Sequence, residues 1–204
     1  SLVTLNSKEH GHEGSGWGAC EPMKGQRTAP TPLGEHLLEV YRRLYQRYGP
    51  QHWWPGEGPF ETIVGAILTQ NTAWGNVERA LSNLKAAQAM SPQRMRELSQ
   101  DVLANLIRPS GYFNTKARKL KAFAHHLGEH YNDDLGALLT KEQAALRQEL
   151  LSIYGIGEET ADDIILYAAR LPSFVIDSYT RRTLLRLGVA PDRDRYGAFQ
   201  ALFH

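Results

Sequence analysis

Helical spacing of apolar residues runs from Thr31 to the end of this 204-residue chain, and no other feature limits the fold as strongly. Apolar residues recur three and four positions apart, and proline and glycine separate the segments. Phe174-Val175-Ile176 has β character, but three residues are too short for a sheet. The chain shows no repeat at the period of a solenoid. The sequence therefore predicts an all-α fold of roughly nine or ten helices.

Cap and breaker residues set the predicted helix boundaries. Thr31-Pro32 starts the first helix, and Gly49-Pro50 ends it. The stretch PFETIVGAILTQ, which ends at Gln70, is apolar almost all round and predicts a helix at the centre of the bundle. A start at Thr140 that resembles a capping box predicts a helix up to Tyr154. The other helices are predicted over residues 72–87, 91–98, 101–107, 114–130, 158–169, 178–187 and 196–204.

Composition separates a tail from the folded part of the chain. Residues 1–30 carry Gly, Ser, Pro and His without periodicity, and they are predicted to be a disordered tail. Residues 31–204 are predicted to form the fold. Because helical spacing still continues at His204, we expect a further C-terminal piece beyond it.

Charge and cysteine content exclude several kinds of site. The formal net charge is +1 and the pI is near 7.9, so any site for a polyanion must be local. The single cysteine, Cys20, rules out an internal disulfide, a four-cysteine zinc site and a four-cysteine iron–sulfur cluster within this chain. No run approaches the roughly 18 apolar residues of a membrane span, and no signal-peptide pattern opens the chain. We therefore expect a soluble cytoplasmic protein without a membrane partner.

Gly155-Ile156-Gly157 joins two predicted helices with too few residues for an ordinary loop. Glycine at both outer positions permits positive φ and lets another backbone approach closely. The turn also leaves successive N–H groups at the start of the next helix, where amides and the helix dipole favour a phosphate oxygen. Two interpretations stay open: an anion-binding turn, or a tight helical hairpin with a glycine cap.

Asp177 follows a short apolar run and opens a predicted helix. As an N-cap, its carboxylate would stabilise the helix by about 1 kcal/mol. With water excluded by its apolar flank, the same carboxylate could activate a water molecule or stabilise a developing cation. The two roles are compatible in one residue.

Aromatic residues gather in sequence around the apolar helix. Trp53, Trp54 and Trp74 are three of the four tryptophans in the chain. Together with Pro55, their faces could form a slot for a flat, electron-poor ring. The alternative is ordinary core packing.

Amide and cationic residues near these motifs are candidates for contacts with nucleic acid. Gln70-Asn71 stands at the end of the apolar helix, where a long amide either contacts DNA bases or simply ends the helix. The cations are either a solvated face or the local cationic surface that phosphates require, and Lys116 and Arg181 are candidate DNA contacts. The cations fall in two groups, Arg108, Lys116, Arg118, Lys119 and Lys121, then Arg181, Arg182 and Arg186.

Taken together, four stretches resemble the endonuclease III branch of the helix-hairpin-helix (HhH-GPD) DNA glycosylases. They are PFETIVGAILTQNTAW (59–74), GYFNTKARKLKAF (111–123), LLSIYGIGEETADDIILYA (150–168) and FVIDSYTRRTLLRLG (174–188). The resemblance implies a base-excision-repair enzyme that flips a damaged base out of double-stranded DNA. It also implies a two-lobed helical fold, with a central lobe over about 59–170 and a second lobe from 31–58 plus 171–204.

The resemblance implies roles for the motif residues. The hairpin Gly155-Ile156-Gly157 would hold a DNA phosphate 3′ of the lesion. Gln70 would fill the hole left by the extruded nucleotide, with Asn71 beside it, and Tyr112 would wedge into the duplex from the opposite strand side. Asp177 would be the essential aspartate of the family.

Glu159 is the main departure from the pattern of bifunctional members. Those members carry at this position a lysine that attacks the sugar carbon and permits strand cleavage. A carboxylate cannot form a Schiff base, so we predict a monofunctional glycosylase that leaves an abasic site. Asp177 would then polarise water and stabilise the oxocarbenium-like sugar.

Within this branch, WWP followed by LTQNTAW is similar to the cluster-free 3-methyladenine DNA glycosylases. This similarity implies a base pocket for a cationic methylated purine, formed by Trp53, Trp54, Pro55 and Trp74. We expect a monomer with no metal and no cofactor in this chain. A [4Fe–4S] centre would require a cysteine-rich segment beyond residue 204.

Two alternatives remain open at the level of sequence. One is an endonuclease III-like glycosylase for damaged or mismatched pyrimidines. The other is a catalytically silent helix-hairpin-helix protein that binds DNA without releasing a base.

Overall fold

The computed structural model describes residues 31–51 and 53–203, and within these ranges every regular element is a helix. The predicted all-α fold is confirmed, and none of these helices is long and apolar enough to cross a bilayer. The predicted tail, residues 1–30, lies outside the described part. The α-helices are α1 (Pro32–Tyr48), α2 (Pro59–Thr69), α3 (Trp74–Ala86), α4 (Pro92–Glu97), α5 (Gln100–Leu106), α6 (Phe113–Tyr131), α7 (Leu135–Leu139), α8 (Gln143–Ser152), α9 (Glu158–Asp163), α10 (Ser178–Arg186) and α11 (Tyr196–Gln200). Two short 3₁₀ turns and one π-helix complete the set: Arg108–Ser110, Ala201–Phe203 and Ile164–Ala168.

Helix α2 is buried along most of its length, as its composition predicts. The eight consecutive residues from Glu61 to Leu68 are all buried. The Glu61 carboxylate pairs with the ammonium of Lys85 at 2.9 Å, which supplies a countercharge for an acidic group in a buried position. Each fully buried aliphatic side chain of this helix contributes about 1.5–3 kcal/mol to folding.

The described residues form two compact units. One unit runs from Trp54 to Val175 and contains α2 to α9, with a continuous core. The other combines the residues up to Trp53 with those from Ile176 onward, and it contains α1, α10 and α11. Buried residues of the first unit include Ile63, Ile67, Leu84, Leu120, Phe123, Leu150 and Ile164; those of the second include Leu37, Ile176, Leu184 and Phe199.

The helix predicted to begin at Thr140 begins later, so this prediction is wrong. Thr140 is the C-cap of α7, a one-turn helix that the sequence did not predict. The N-cap of α8 is Glu142, whose carboxylate accepts hydrogen bonds from the N–H groups of Ala144 (3.0 Å) and Ala145 (3.1 Å). Glutamate is an unusual cap, and serine or threonine would fit the preference better.

The helix predicted over residues 158–169 changes its hydrogen-bond pattern halfway. Helix α9 ends at Asp163, and a π-helix follows from Ile164 to Ala168. The wider turn is marked by a hydrogen bond from the N–H of Ala169 to the carbonyl of Ile164, five residues earlier (3.0 Å). Such π segments change which side chains share one face of a helix, and they are frequent at functional sites.

Candidate functional site

The two glycines of the hairpin between α8 and α9 have different environments. Gly155 has φ +87°, in the left-handed region, and a Cβ built there would lie 2.2 Å from Cγ of Lys119. Gly157 is the N-cap of α9 with extended backbone, and a Cβ at this position would meet no atom within 4 Å. The protein itself therefore requires glycine at position 155, whereas position 157 opens onto space that a ligand can approach.

The first turn of α9 combines the N-terminal amides of the helix with acidic side chains. The first hydrogen bond of the helix runs from the N–H of Ala161 to the carbonyl of Gly157 (2.8 Å), so the preceding N–H groups have no partner within the helix. Ile156 is buried and anchors the turn. Glu158 and Glu159 are both exposed, and the nearest guanidinium nitrogen of Arg147 lies 3.8 Å from the Glu158 carboxylate. The amides favour an anion here, while the two carboxylates repel one.

The side chain of Gln70 is hydrogen-bonded to this hairpin. This residue is the C-cap of α2, which agrees with its interpretation as a helix end. Its amide nitrogen donates to the carbonyl of Gly155 (3.1 Å) and to the hydroxyl of Thr160 (2.9 Å). The ammonium of Lys119 donates to the amide oxygen of Gln70, and burial lowers the pKa of Lys119. The side chain predicted to fill a gap in DNA is thus hydrogen-bonded to the turn at Gly155 and to Thr160 of α9 in this structure.

Two exposed residues, Asn71 and Tyr112, have left-handed backbone and lie at the end of α2 and the start of α6. Asn71 has φ +53° and follows the C-cap of α2. Tyr112 has φ +44°, is the N-cap of α6 and exposes 72% of its surface. Asparagine adopts this conformation readily, whereas a bulky residue such as Tyr112 rarely does, and such strain is concentrated at functional positions. A projecting aromatic ring at Tyr112 has the shape that the predicted wedge requires.

Lys116 is a buried residue, so its prediction as a DNA contact is wrong. Only 2% of the residue is exposed, and its ammonium donates to the carbonyls of Leu68 (2.8 Å) and Ser110 (2.6 Å). Burial, and secondarily the charge of Lys119, lowers the pKa of Lys116 to about 8. Helical periodicity could not show this, because the side chain reaches inward to carbonyls that only the tertiary fold brings near.

Trp54 and Trp74 lie in contact with each other, and Tyr167 joins them. The ring centroids of Trp54 and Trp74 lie 5.6 Å apart in an edge-to-face arrangement, and those of Trp54 and Tyr167 lie 5.1 Å apart. Gly65 of α2 permits this approach, since a Cβ there would lie 3.2 Å from Cζ2 of Trp54. We call Trp54, Trp74 and Tyr167 the aromatic cluster.

The other residues of the predicted base pocket are exposed. Trp53 belongs to the unit that contains α1, and 51% of its surface is exposed. Pro55 is exposed next to the aromatic cluster in sequence. Tyr167 was missed by sequence reasoning because it lies on the π-helix, and no residue pattern predicts that local change of helix type.

Asp177 caps α10 and keeps one carboxylate oxygen available. Its Oδ1 accepts a hydrogen bond from the N–H of Thr180 (2.7 Å), which confirms the N-cap interpretation. In the described part of the chain, nothing donates to its Oδ2. The preceding residue, Ile176, is buried, and its N–H donates to the hydroxyl of Tyr196 (3.2 Å). A half-buried, oriented carboxylate of this kind can accept a proton from water or face a developing positive charge.

Arg181 interacts with two residues of its own unit. Its guanidinium pairs with the carboxylate of Asp194 and lies 4.8 Å from the ring centroid of Phe199. This residue therefore braces α10 against the segment that contains α11. Its predicted contact with DNA would have to compete with that ion pair.

The chain offers no set of thiolates for an iron–sulfur cluster. Among the described residues, no group of three or more His, Cys, Asp or Glu side chains converges as metal ligands would. The one cysteine of the sequence, Cys20, lies outside the described residues. Four thiolates are needed for a [4Fe–4S] centre, so these 204 residues do not fit that group.

Known proteins with similar sequences include a provisionally named DNA repair glycosylase and an endonuclease III. A protein of Methanocaldococcus jannaschii with the provisional name DNA repair glycosylase MJ1434 is 45% identical over 170 residues, which cover 83% of this chain and 77% of the relative. Endonuclease III of Sulfolobus acidocaldarius is 32% identical over 138 residues, 67% of this chain and 60% of that enzyme.

Solved structures with the same fold include a DNA glycosylase and an endonuclease III bound to DNA. The 3-methyladenine DNA glycosylase (MagIII) of H. pylori, bound to 1,N6-ethenoadenine, superposes with a TM-score of 0.71 at 30% identity, covering 83% of this chain and 79% of that one. A non-covalent endonuclease III–DNA complex has a TM-score of 0.73 at 19% identity, covering 83% of this chain and 75% of that one. At this identity the comparison supports a shared fold only. The family model described as the HhH-GPD superfamily base excision DNA repair protein matches residues 64–204. The chain therefore belongs to the HhH-GPD superfamily of base excision DNA repair proteins.

Proposed function

We propose that this protein is a monofunctional DNA glycosylase that releases alkylated purines from double-stranded DNA by hydrolysis. The aromatic cluster carries the proposal for the base. Its members bring three aromatic rings into contact with one another. An alkylated purine is a flat ring that often bears a positive charge, which aromatic rings attract. Stacking and cation–π attraction contribute about 0.5–2 kcal/mol at such sites. The relative from H. pylori, whose name specifies 3-methyladenine, supports this base class.

Asp177 supplies the carboxylate for hydrolysis. As the bond between the sugar C1′ and the base nitrogen breaks, positive charge develops on the sugar, and a carboxylate stabilises that charge. A water molecule adds to C1′, and its proton passes to the free oxygen of Asp177. The cationic base leaves as a neutral molecule with the electron pair of the broken bond, so protonation of the leaving group is not required.

Glu159 supports hydrolysis rather than strand cleavage. It occupies the first turn of α9 with its side chain exposed, where bifunctional members carry the attacking lysine. Because a carboxylate forms no Schiff base, no covalent sugar intermediate arises at this position, and the DNA strand stays intact. The product is an abasic site.

The hairpin and Tyr112 are proposed to hold the DNA. The open side of Gly157 and the first amides of α9 would receive one backbone phosphate, and the exposed ring of Tyr112 would enter the base stack. Gln70 could fill the vacated space only after its hydrogen bonds to Gly155 and Thr160 break. We propose that the protein acts as a monomer without a cofactor.

One assay tests the proposal against its alternatives. Duplexes with a methylated purine, hypoxanthine, uracil or thymine glycol are incubated with the protein, and the strands are resolved with and without hot alkali. We expect nicks only after alkali, and mainly in the duplex with the methylated purine. Nicks without alkali would contradict the monofunctional assignment, and release of pyrimidines alone would favour the endonuclease III-like alternative. Binding without release from any duplex would favour the silent binder.

A further inference from the structure

The five cations between Arg108 and Lys121 have different environments, although the sequence groups them together. Lys116 is buried, and Lys119 donates to Gln70. Lys121 donates to the carbonyl of Arg96 at 2.8 Å. Three of the five cations are therefore used inside the protein, which leaves Arg108 and Arg118 on the surface.

Each of the two exposed arginines lies over an aromatic ring. The guanidinium carbon of Arg118 is 5.8 Å from the ring centroid of Tyr154, and that of Arg108 is 5.6 Å from the ring centroid of Phe113. In the part of the chain that the structure describes, neither guanidinium pairs with a carboxylate. Arg94 of the same unit is also exposed, but it pairs with Glu97.

A guanidinium held over an aromatic ring is preorganised to bind an anion. The ring restricts the motion of the side chain, while the N–H donors remain free along the edge of the guanidinium plane. Two parallel N–H groups on that edge match two oxygens of a phosphate. The entropy lost on binding is smaller than for a free arginine, because part of it is already lost in the stacked state.

The two stacked arginines lie beside the two segments proposed to contact DNA. Tyr154 immediately precedes Gly155 of the hairpin, and it is exposed. Arg108 begins the 3₁₀ turn that leads to Tyr112. At the hairpin an exposed cation would favour a phosphate next to the carboxylates of Glu158, which faces Arg147, and Glu159, because the net charge of the chain is only +1.

We propose that Arg118 with Tyr154, and Arg108 with Phe113, are two phosphate-binding sites for the DNA backbone. Each takes one phosphate in addition to the phosphate at the hairpin amides. The contacts carry no base readout, so they strengthen binding to damaged and undamaged duplexes alike. This inference relies on the proposed function for its ligand, double-stranded DNA.

The salt dependence of binding tests the two sites. Binding of a fluorescein-labelled undamaged duplex is followed by anisotropy over a range of salt concentrations. For each phosphate contact, the slope of log K against log salt changes by about 0.9. We expect Arg118→Gln and Arg108→Gln each to lower the slope by about 0.9, and the double variant to lower it by about 1.8.

Two further variants make the test specific. Arg94→Gln removes the same charge from an exposed, ion-paired arginine, and we expect an unchanged slope. Arg118→Lys keeps the charge but loses the planar donors, so we expect the slope of the unsubstituted protein with weaker binding. The inference is overturned if the Arg108 and Arg118 glutamine variants keep the original slope, or if Arg94→Gln lowers it equally.

Failure of this inference and failure of the proposed function give different results. Binding to undamaged DNA is measured without base release, so altered slopes support the phosphate sites even if no base is excised. Normal excision with unchanged slopes would leave the glycosylase proposal standing and remove the two sites. Circular dichroism melting of each variant confirms that the fold is retained.

Discussion

The ammonium of Lys116 lies 2.6 Å from the carbonyl oxygen of Ser110 and also donates to the carbonyl of Leu68, at 2.8 Å. Ser110 stands two residues before Tyr112, and Leu68 stands two residues before Gln70. One buried cation therefore fixes both the segment proposed to wedge into DNA and the segment that ends at Gln70. The unexpected burial of Lys116 gives it a positioning role in place of a DNA contact.

Replacing Lys116 with methionine should destabilise the protein. The substitution leaves two buried carbonyls without a donor, each of which costs about 1–3 kcal/mol, partly offset because no buried charge remains. We expect a net loss of roughly 1–3 kcal/mol in the free energy of unfolding, measured with urea. Lys121→Met is the matched control, since Lys121 donates to one carbonyl and is less buried, and its loss should be smaller. Equal losses in the two variants would contradict the special role of Lys116.

The stability of the protein should also respond to Lys116 at alkaline pH. Burial lowers the pKa of Lys116 from its ordinary value of 10.5 to about 8, so between these values the unfolded chain holds more protons than the folded one. The contribution of this lysine to the free energy of unfolding therefore rises with pH across that window. Lys119, whose pKa is also lowered by burial, acts in the same direction. Urea unfolding across the window should show a smaller rise in Lys116→Met than in the unsubstituted protein, and an identical rise would refute this assignment.

The two hairpin glycines should respond differently to substitution by alanine. Gly155→Ala combines a left-handed backbone with a Cβ against Lys119, so we expect a loss of stability of about 1–3 kcal/mol or more. Gly157→Ala adds a methyl group in open space on extended backbone, so stability should change by less than about 0.5 kcal/mol. The same methyl group should nevertheless weaken duplex binding, because it obstructs the approach to the amides. Unchanged DNA affinity in Gly157→Ala would argue against a phosphate at this turn.

Asp177→Asn should separate the two roles of the aspartate. Asparagine retains an oxygen that can cap α10, so the stability and the duplex affinity should stay close to those of the unsubstituted protein. The charge that faces the sugar is lost, so base release should become undetectable in a single-turnover assay. Asp177→Ala also removes the cap, so its free energy of unfolding should be lower by about 1 kcal/mol in addition. Near-normal release by the asparagine variant would disprove the catalytic assignment.

Tyr167 should contribute to base binding through its ring. Removal of one aromatic face from a cationic base costs about 0.5–2 kcal/mol, so Tyr167→Leu should reduce release of a methylated purine by about 2- to 30-fold. Tyr167→Phe keeps the ring and should retain most of the activity. Equal activity of the leucine and phenylalanine variants would exclude Tyr167 from the pocket.

The helices could be predicted because their signals are local. Thr31-Pro32 and the apolar stretch up to Gln70 act within one or two turns, and the structure places helices α1 and α2 there. Helix α7 was missed because it is a single turn, too short for a periodic pattern. The start of α8 was misplaced because Thr140 and Glu142 are both able to cap, and only the ending of α7 decides between them.

The candidate site was harder to predict because burial is a tertiary property. The lysines at positions 116 and 119 and the arginine at 118 look alike in sequence, yet only Arg118 remains on the surface. Gln70 could be placed at a helix end from sequence, but its hydrogen bonds to Gly155 and Thr160 span more than eighty residues of chain. The aromatic cluster was predicted as far as Trp54 and Trp74. Its third ring depends on a π-helix that no local pattern encodes.

The division into two units has a consequence for the order of folding. Residues 54–175 form a contiguous unit, whereas the other unit must join the segment around α1 to residues beyond Ile176. Contacts between distant segments form late, because closing a long loop costs entropy before any contact is gained. We expect pulse-labelling hydrogen exchange to show protection first in α2 to α9 and later in α10. Asp177 would then form the N-cap of α10 only in the last stage, so a partly folded chain could already hold DNA before it is able to hydrolyse a glycosidic bond.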